Sequence, residues 1–169
     1  MGQSVYSKTR GRCCPSLPGG AVFRGVAQLS LDSKGRLAVP SRFRDALTAR
    51  CNGHLVLTAD SDRCLLIYPL PDWEPIEQKL MALSSFNAQI RELQRRLVGY
   101  AEDAVMDATG RILVPPALRQ FAQLDKGVVL VGQGNKFELW NKDNWEQLMD
   151  RGGGFSPGGL PPELEGFSL

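Results

Sequence analysis

Short apolar runs separated by glycine and proline occupy the middle of the chain, and they predict a β-rich fold with short helices. Residues 25–31, GVAQLSL, predict a short strand with Leu29 and Leu31 on one face. DSKG follows at 32–35, and its Asp and Gly stand where a type I turn with a bulged hairpin needs them. RLAV at 36–39 predicts the returning strand, with Leu37 on one face and Arg36 on the other.

The residues around this turn have predicted structural roles. Asp32 caps its own turn and pairs with Arg36, while Gly35 adopts the left-handed backbone conformation. Pro40 ends the strand because it has no N–H for the ladder. The segment after it, SRFRDAL at 41–47, predicts a short helix.

The same ten-residue pattern occurs twice in the chain. LDSKGRLAVP at 31–40 is followed 75 positions later by MDATGRILVP at 106–115, with Asp, Gly, Arg, Val and Pro in the same places. Pro116 then fits the first helical position, and the helix ALRQFA places Arg119 where Arg44 stands in the first copy. The second copy has the same predicted structural residues, namely Asp107, Gly110 and Pro115.

The similarity between the copies extends downstream and predicts the domain organisation. One unit alone is too small to bury a convincing core, so we expect two units packed about a pseudo-twofold axis. The predicted divisions are a disordered N-terminal extension, a first repeat, a helical connector, a second repeat and a flexible tail. Their bounds are 1–21, 26–73, 74–101, 102–145 and 152–169.

The connector has apolar residues at helical spacing in two groups, which predicts two helices. Ser84 or Ser85 is the predicted N-cap of the second helix. Three tryptophans lie outside the turns, and we expect core or interface packing for them instead of base stacking. They are Trp73, Trp140 and Trp145.

Composition excludes several classes of protein. Hydrophobic residues make up 43% and charged residues 22%, as in soluble globular domains, and no apolar run reaches the ~20 residues that cross a membrane. The four cysteines form no CxxC pair, and His54 is the single histidine, at the edge of a predicted strand. The sequence therefore predicts no metal site, no cofactor and no enzyme, because it shows no phosphate-binding loop and no nucleophile beside a base.

Positive charge is concentrated in the first copy of the repeat. The net charge is only +2, but residues 24–50 contain six basic residues against two acidic ones, whereas residues 51–80 contain two basic and five acidic ones. Such a distribution is typical of a surface directed at an anion.

The duplicated D-x-x-G-R-φ-x-V-P pattern, where φ is apolar, resembles the MraZ family of bacterial transcriptional regulators. FRGVAQLSLDSKGRLAVPSRFRDAL, CLLIYPLPDWEPIEQKL, MDATGRILVPPALRQFA and VGQGNKFELW carry the resemblance, which covers roughly residues 22–151. It implies a β-rich α+β fold of two fused AbrB-like units (SpoVT-AbrB superfamily, double-split β-barrel type) with connecting helices.

The resemblance also implies a function. Members of the family bind double-stranded DNA at short G-rich direct repeats and usually repress their own division and cell-wall operon. They assemble into ring-shaped homo-oligomers in the cytoplasm and associate with the nucleoid. No cofactor, no membrane and no small-molecule substrate is implied.

The N-terminus departs from the family pattern. Family chains begin Met-Phe-Arg-Gly, whereas this chain reads Val-Phe-Arg-Gly at 22–25. Because a valine codon serves as a bacterial start, we hypothesise that residues 1–21 are a start-site error. An intact mass of the native protein that includes those residues would contradict this hypothesis.

Several basic side chains are candidates for DNA contact. Arginine is the commonest partner of guanine in the major groove, and lysine and arginine neutralise phosphates. Arg36 follows the turn directly, and in the family picture Asp32 and Arg36 lie at the DNA face. Among the other candidates of the first copy, Lys34 lies in the turn itself, and Arg24 lies before the first strand, at its other end, where it could reach a phosphate. Arg42 and Arg44 lie on the short helix.

The second copy is ambiguous. Arg111 is a DNA-contact candidate, but its turn lacks a lysine and two acidic residues precede it. Copy two could instead orient the ring or form a subunit interface. Two other functions remain open, namely an AbrB-like antitoxin and a protein-interaction scaffold whose basic patch binds an acidic partner.

Overall fold

The computed structural model describes residues 22–151, so the disorder predicted for 1–21 and 152–169 lies outside the described residues. The strands are β1 (Phe23–Ser30), β2 (Arg36–Ala38), β3 (His54–Ala59), β4 (Leu65–Pro69), β5 (Glu102–Val105), β6 (Arg111–Leu113), β7 (Gly127–Gly134) and β8 (Lys136–Asn141). The helices are α1 (Ser41–Cys51), α2 (Leu70–Met81), α3 (Ala88–Leu97), α4 (Pro116–Phe121) and α5 (Lys142–Asp150). The prediction of a β-rich α+β fold is confirmed.

Six strands form one antiparallel sheet in the order β1-β7-β8-β4-β3-β5, and β2 pairs with β6 in a separate two-stranded sheet. Within residues 22–151 the ladders do not close into a barrel, since the larger sheet ends at β1 and β5. The predicted bounds of the two repeats stay predictions.

The two halves of the chain exchange strands. β1 pairs along its whole length with β7, and β5 pairs with β3, so the first strand of each half lies in the sheet beside the other half. This corrects the expectation of a simple hairpin, because β1 and β2 share only the bridge between Leu31 and Leu37. β2 leaves the sheet because its pairing with β6 buries Leu37 and Ile112 in the common core.

The registers of the two sheets are symmetric about their centres. In the small sheet Leu37 faces Ile112, its own counterpart in the repeat, and the flanking pairs are exchanged when the halves are exchanged. At the middle of the large sheet Leu66 faces Glu138. These two residues also hold equivalent places in the two halves, seven residues before Trp73 and seven before Trp145. This arrangement supports the expected pseudo-twofold axis, which passes through both central pairs.

Aromatic residues from both halves meet in the main core. Phe23 packs against Phe137 with ring centroids 4.3 Å apart, and Phe43 lies 4.9 Å from Phe137. Trp73 packs in a second cluster with Tyr68, and Trp140 packs against Trp145 in a third. The core contacts therefore join segments that are distant in sequence.

The helices differ from the predictions in three places. The helix predicted at 41–47 continues to Cys51, where Asn52 ends it in the left-handed conformation. α3 is capped by Asn87, whose side chain accepts hydrogen bonds from two backbone N–H groups, so the predicted serine caps were wrong. Helix α5 was not predicted, although Asn141 caps it in the same way.

Candidate nucleic-acid interface

The two-stranded sheet β2–β6 has one buried face and one outward face. Leu37 and Ile112 point into the core, at 0% and 1% exposure. Ala38 and Leu113 are exposed on the opposite face, where Arg36 and Arg111 are partly exposed. Strand alternation explains this division, and it confirms that Arg36 lies opposite Leu37. A two-stranded ribbon of this kind is one of the elements that the major groove of DNA admits.

Asp32 accepts several hydrogen bonds within the first turn. One carboxylate oxygen accepts hydrogen bonds from the backbone N–H groups of Lys34 and Arg36, both at 2.9 Å. The other oxygen accepts from Nε of Arg36 at 2.7 Å. Gly35 has φ 77°, and its N–H donates to the Asp32 carbonyl at 2.9 Å. The Asp32 contact thus fixes Nε of Arg36 and leaves the two terminal nitrogens as donors.

The second turn repeats this arrangement with one addition. Asp107 accepts from the backbone N–H of Arg111 at 2.9 Å and from its Nε at 3.1 Å. It accepts from the backbone N–H of Thr109 at 2.9 Å, as Asp32 accepts from Lys34. The addition is the Thr109 hydroxyl, which donates to Asp107 at 2.7 Å. Gly110 has φ 76°, like its counterpart in the first turn. Asp107 and Gly110 therefore occupy the same places in the second turn as Asp32 and Gly35 do in the first.

Hydrogen bonding lowers the pKa of both turn carboxyls. The backbone N–H of Arg36 is the largest cause for Asp32, and the Thr109 hydroxyl is the largest cause for Asp107. Both carboxylates therefore stay ionised at neutral pH, and each orients the arginine four residues later.

Each turn is also supported by the other half of the chain. The N–H of Val39 donates to the Gly110 carbonyl at 2.9 Å, and the N–H of Val114 donates to the Gly35 carbonyl at 3.0 Å. The side chain of Arg44 lies against Gly110, and its Nε donates to the Val39 carbonyl at 2.7 Å. These crossed contacts tie the ribbon and its turns into one unit.

The remaining basic candidates lie elsewhere. Arg24 is at the start of β1, eight residues before the turn, roughly 26 Å away at the usual rise of about 3.3 Å per residue. Arg42 is close to it, because its Nη2 lies 3.3 Å from where a Cβ on Gly25 would stand. The structure therefore places Arg36 and Arg111 on one face of the ribbon, with Lys34 at the end next to Arg36, and it separates Arg24 and Arg42 from them.

The two ends of the ribbon differ in charge. Lys34 is exposed in the first turn, whereas Thr109 occupies its place in the second. Glu102 and Asp103 are exposed on β5, while the equivalent part of β1 has no acidic residue. The end of the ribbon at the first turn is consequently the more positive one.

Sequence reasoning missed two contributors to this surface. Thr109 holds the Asp107 carboxylate, and Arg119 packs beneath the first turn as Arg44 packs beneath the second. The signal for Arg119 was present, because the same residue stands at the same place after each copy of the repeat. What the sequence did not reveal is that each arginine supports the turn of the opposite copy.

Residues 22–151 contain no group of three or more His, Cys, Asp or Glu side chains placed to hold a metal ion. No helix in the described part combines the length and the apolar character needed to cross a bilayer. His54 is exposed at the start of β3, the strand-edge position expected for it.

Comparison with known proteins identifies the family. Residues 22–96 and 97–153 each match the family described as "MraZ protein, putative antitoxin-like". The chain belongs to the MraZ family. The two matches correspond to the two halves that exchange strands.

Curated relatives cover almost the whole chain. The protein "Transcriptional regulator MraZ" of Nitrosospira multiformis is 62% identical over 148 residues, which are 88% of this chain and 100% of that protein. The protein of the same name from Thiobacillus denitrificans is 60% identical over 148 residues, which are 88% of this chain and 100% of that protein. The one from Pseudomonas aeruginosa strain UCBPP-PA14 is 52% identical over 151 residues, with the same coverage of both chains. This chain is thus a member of a family of transcriptional regulators.

Proposed function

We propose that the chain regulates transcription by binding double-stranded DNA through the outward face of the β2–β6 ribbon and its first turn. One observation carries the proposal: Arg36 and Arg111 lie on the same outward face, at positions that the pseudo-twofold exchanges. Two oriented guanidinium groups on a ribbon match the guanine edges that a major groove presents.

The candidate residues take different roles in this proposal. Arg36 reads guanine, because Asp32 fixes its Nε and leaves two terminal donors. Lys34 contacts a phosphate beside it, as an exposed lysine in a turn does. Arg111 makes the second, weaker contact, since no lysine accompanies it. Arg44 supports the second turn instead of touching DNA.

Arg24 and Arg42 form a separate basic corner. Both are exposed and lie at the end of β1 away from the turn. We assign them to phosphate contacts, which add affinity without sequence information.

The family resemblance supplies the target and the outcome. We propose that the chain binds short G-rich direct repeats upstream of its own division and cell-wall operon, represses that operon and associates with the nucleoid. A ring of identical subunits would place several ribbons on adjacent repeats, and effective concentration would strengthen weak individual contacts. A ring would thus explain the modest net charge of +2 per subunit.

Binding of the full chain to the DNA just upstream of its gene, compared with a shuffled duplex across a salt series, tests the proposal. We expect strong preference for the native duplex and an affinity that falls steeply with salt. Equal, weak binding to both duplexes would contradict it and favour a scaffold whose basic patch binds an acidic partner. Co-purification of a toxin in place of DNA binding would favour the antitoxin alternative.

A further inference from the structure

Arg119 contacts the backbone of the first turn from the opposite half of the chain. It lies on α4, which follows the second copy of the repeat. A Cβ added to Gly35 would stand 2.6 Å from Cζ, 2.7 Å from Nε and 2.8 Å from Nη1 of Arg119. The guanidinium group therefore lies directly against Gly35, and no side chain fits between them.

Gly35 is enclosed by the second half on another side as well. Its carbonyl accepts a hydrogen bond from the N–H of Val114 at 3.0 Å. Gly35 itself is buried, whereas its neighbours Lys34 and Arg36 reach the surface. Any shift of the glycine is therefore passed to both side chains that are proposed to contact DNA.

The bonding of Arg119 differs from that of its counterpart. Nε of Arg44 donates to a carbonyl, but Nε of Arg119 is buried without a hydrogen-bond partner among residues 22–151. Buried N–H groups are nearly always paired, so an unpaired one needs an explanation. In the structure this Nε lies against the Gly35 backbone, 2.7 Å from where an added Cβ would stand, so packing against the turn takes the place of a hydrogen bond.

We propose that Arg119 is a positioning residue for the DNA contact of the first turn, acting through Gly35 on Lys34 and Arg36. This inference rests on the proposed function. It means that the contacts of one repeat depend on an arginine of the other repeat. Arg119 acts by packing its guanidinium group against Gly35, and its charge makes no contribution of its own to DNA binding.

The test compares three full-length variants with the wild type. Arg119→Met removes the guanidinium, Arg119→Lys keeps the charge without the planar group, and Arg44→Met is the matched control at the equivalent position. Two quantities are measured: affinity for the upstream duplex, and amide hydrogen exchange at residues 33–36 and 108–111 in the DNA-free protein.

We expect both Arg119 variants to bind the duplex about tenfold more weakly, the loss expected when a base contact is misplaced. Amide exchange should accelerate at 33–36 and stay unchanged at 108–111. Arg44→Met should show the reverse exchange pattern, with a smaller loss of affinity. This crossed pattern distinguishes positioning from a general loss of stability.

Any one of four results would overturn the inference. Wild-type affinity in Arg119→Lys together with loss in Arg119→Met would mean that Arg119 acts by charge. Unchanged amide exchange at 33–36 in the Arg119 variants would mean that Arg119 does not hold the turn. If Arg119→Met fails to fold, the affinity and the exchange of Arg119→Lys alone test the inference. A wild-type protein that does not prefer the upstream duplex would refute the proposed function, and the inference with it. Equal binding by wild type and variants refutes only the inference.

Discussion

Leu37 and Ile112 face each other across the β2–β6 ribbon, at the point where the two halves of the chain exchange positions. Both side chains are almost completely buried in a core to which each half contributes. The outward face of the ribbon therefore depends on a core that neither half builds alone.

Truncation of Leu37 should destabilise the whole protein. Leu37→Ala should lower the free energy of unfolding by about 2–5 kcal/mol, because it leaves a cavity at a fully buried site. Leu113→Ala is the matched control on the same ribbon, and it should change stability by about 0.5 kcal/mol or less, since Leu113 is exposed. Urea unfolding measures both, and similar losses would contradict the assignment of the two faces.

Arg36 should matter more for DNA binding than for folding. Arg36→Ala should reduce affinity for the upstream duplex at least about tenfold, as expected for loss of a guanine contact. Its melting temperature should stay close to that of the wild type, because its ion pair with Asp32 is solvent-exposed.

Arg111→Ala is the control for that experiment. Because the second turn lacks a lysine, its loss of affinity should be smaller. If Arg36→Ala lowered stability and affinity to the same extent, Arg36 would be a structural residue. A larger effect of Arg111→Ala would place the main contact on the second turn.

The turn carboxyls should titrate below their usual range. A lowered pKa in the folded state means that ionised Asp32 and Asp107 stabilise the protein above the pKa of the unfolded chain, about 3.9. That stabilisation is lost as pH falls through the folded-state values. Carbon NMR of the two carboxyls measures them, and midpoints near 3.9 would refute the turn geometry.

Thr109→Ala should act on one turn only. Its hydroxyl is the largest cause of the lowered pKa of Asp107, so the substitution should raise that pKa. The pKa of Asp32 should not change, since no hydroxyl contributes to it. The same NMR titration, run on the variant, checks both expectations, and a shift at Asp32 would show that the turns are coupled in another way.

The halves should not fold separately. β1 needs β7 and β5 needs β3, so fragments 22–96 and 97–151 each lack a partner strand. We expect each fragment to be unfolded or self-associated, and a mixture to recover the circular dichroism of the intact chain. A stable monomeric fragment would show that the exchange of strands is not required.

The repeat pattern predicted the turns because they depend on local chemistry. Asp32 and Gly35 act within five residues, so their roles could be inferred from spacing alone. The partner strand of β2 could not be inferred in this way, because an apolar pattern shows which face of a strand is buried but not which strand lies beside it. The crossed support by Arg119 depends on that pairing, and it was missed for the same reason.

The helices show the same limit. Pro116 marked the start of α4, but α5 was overlooked because its signal is one capping residue, Asn141, directly after a strand. Among the predicted basic residues, Arg24 was expected at the end of the first strand away from the turn, and β1 places it there. Local signals locate turns and caps, whereas the surface that they form depends on long-range pairing.

Site-specific photo-crosslinking on the outward face of the ribbon would settle where DNA binds. A benzophenone side chain is placed at Ala38, at Leu113 or, as a control, at Phe86, which is 96% exposed on the connector. We expect crosslinks to the upstream duplex from positions 38 and 113 and none from 86, in variants that still bind. Crosslinks from 86 alone would contradict the assignment of the ribbon as the DNA-binding surface.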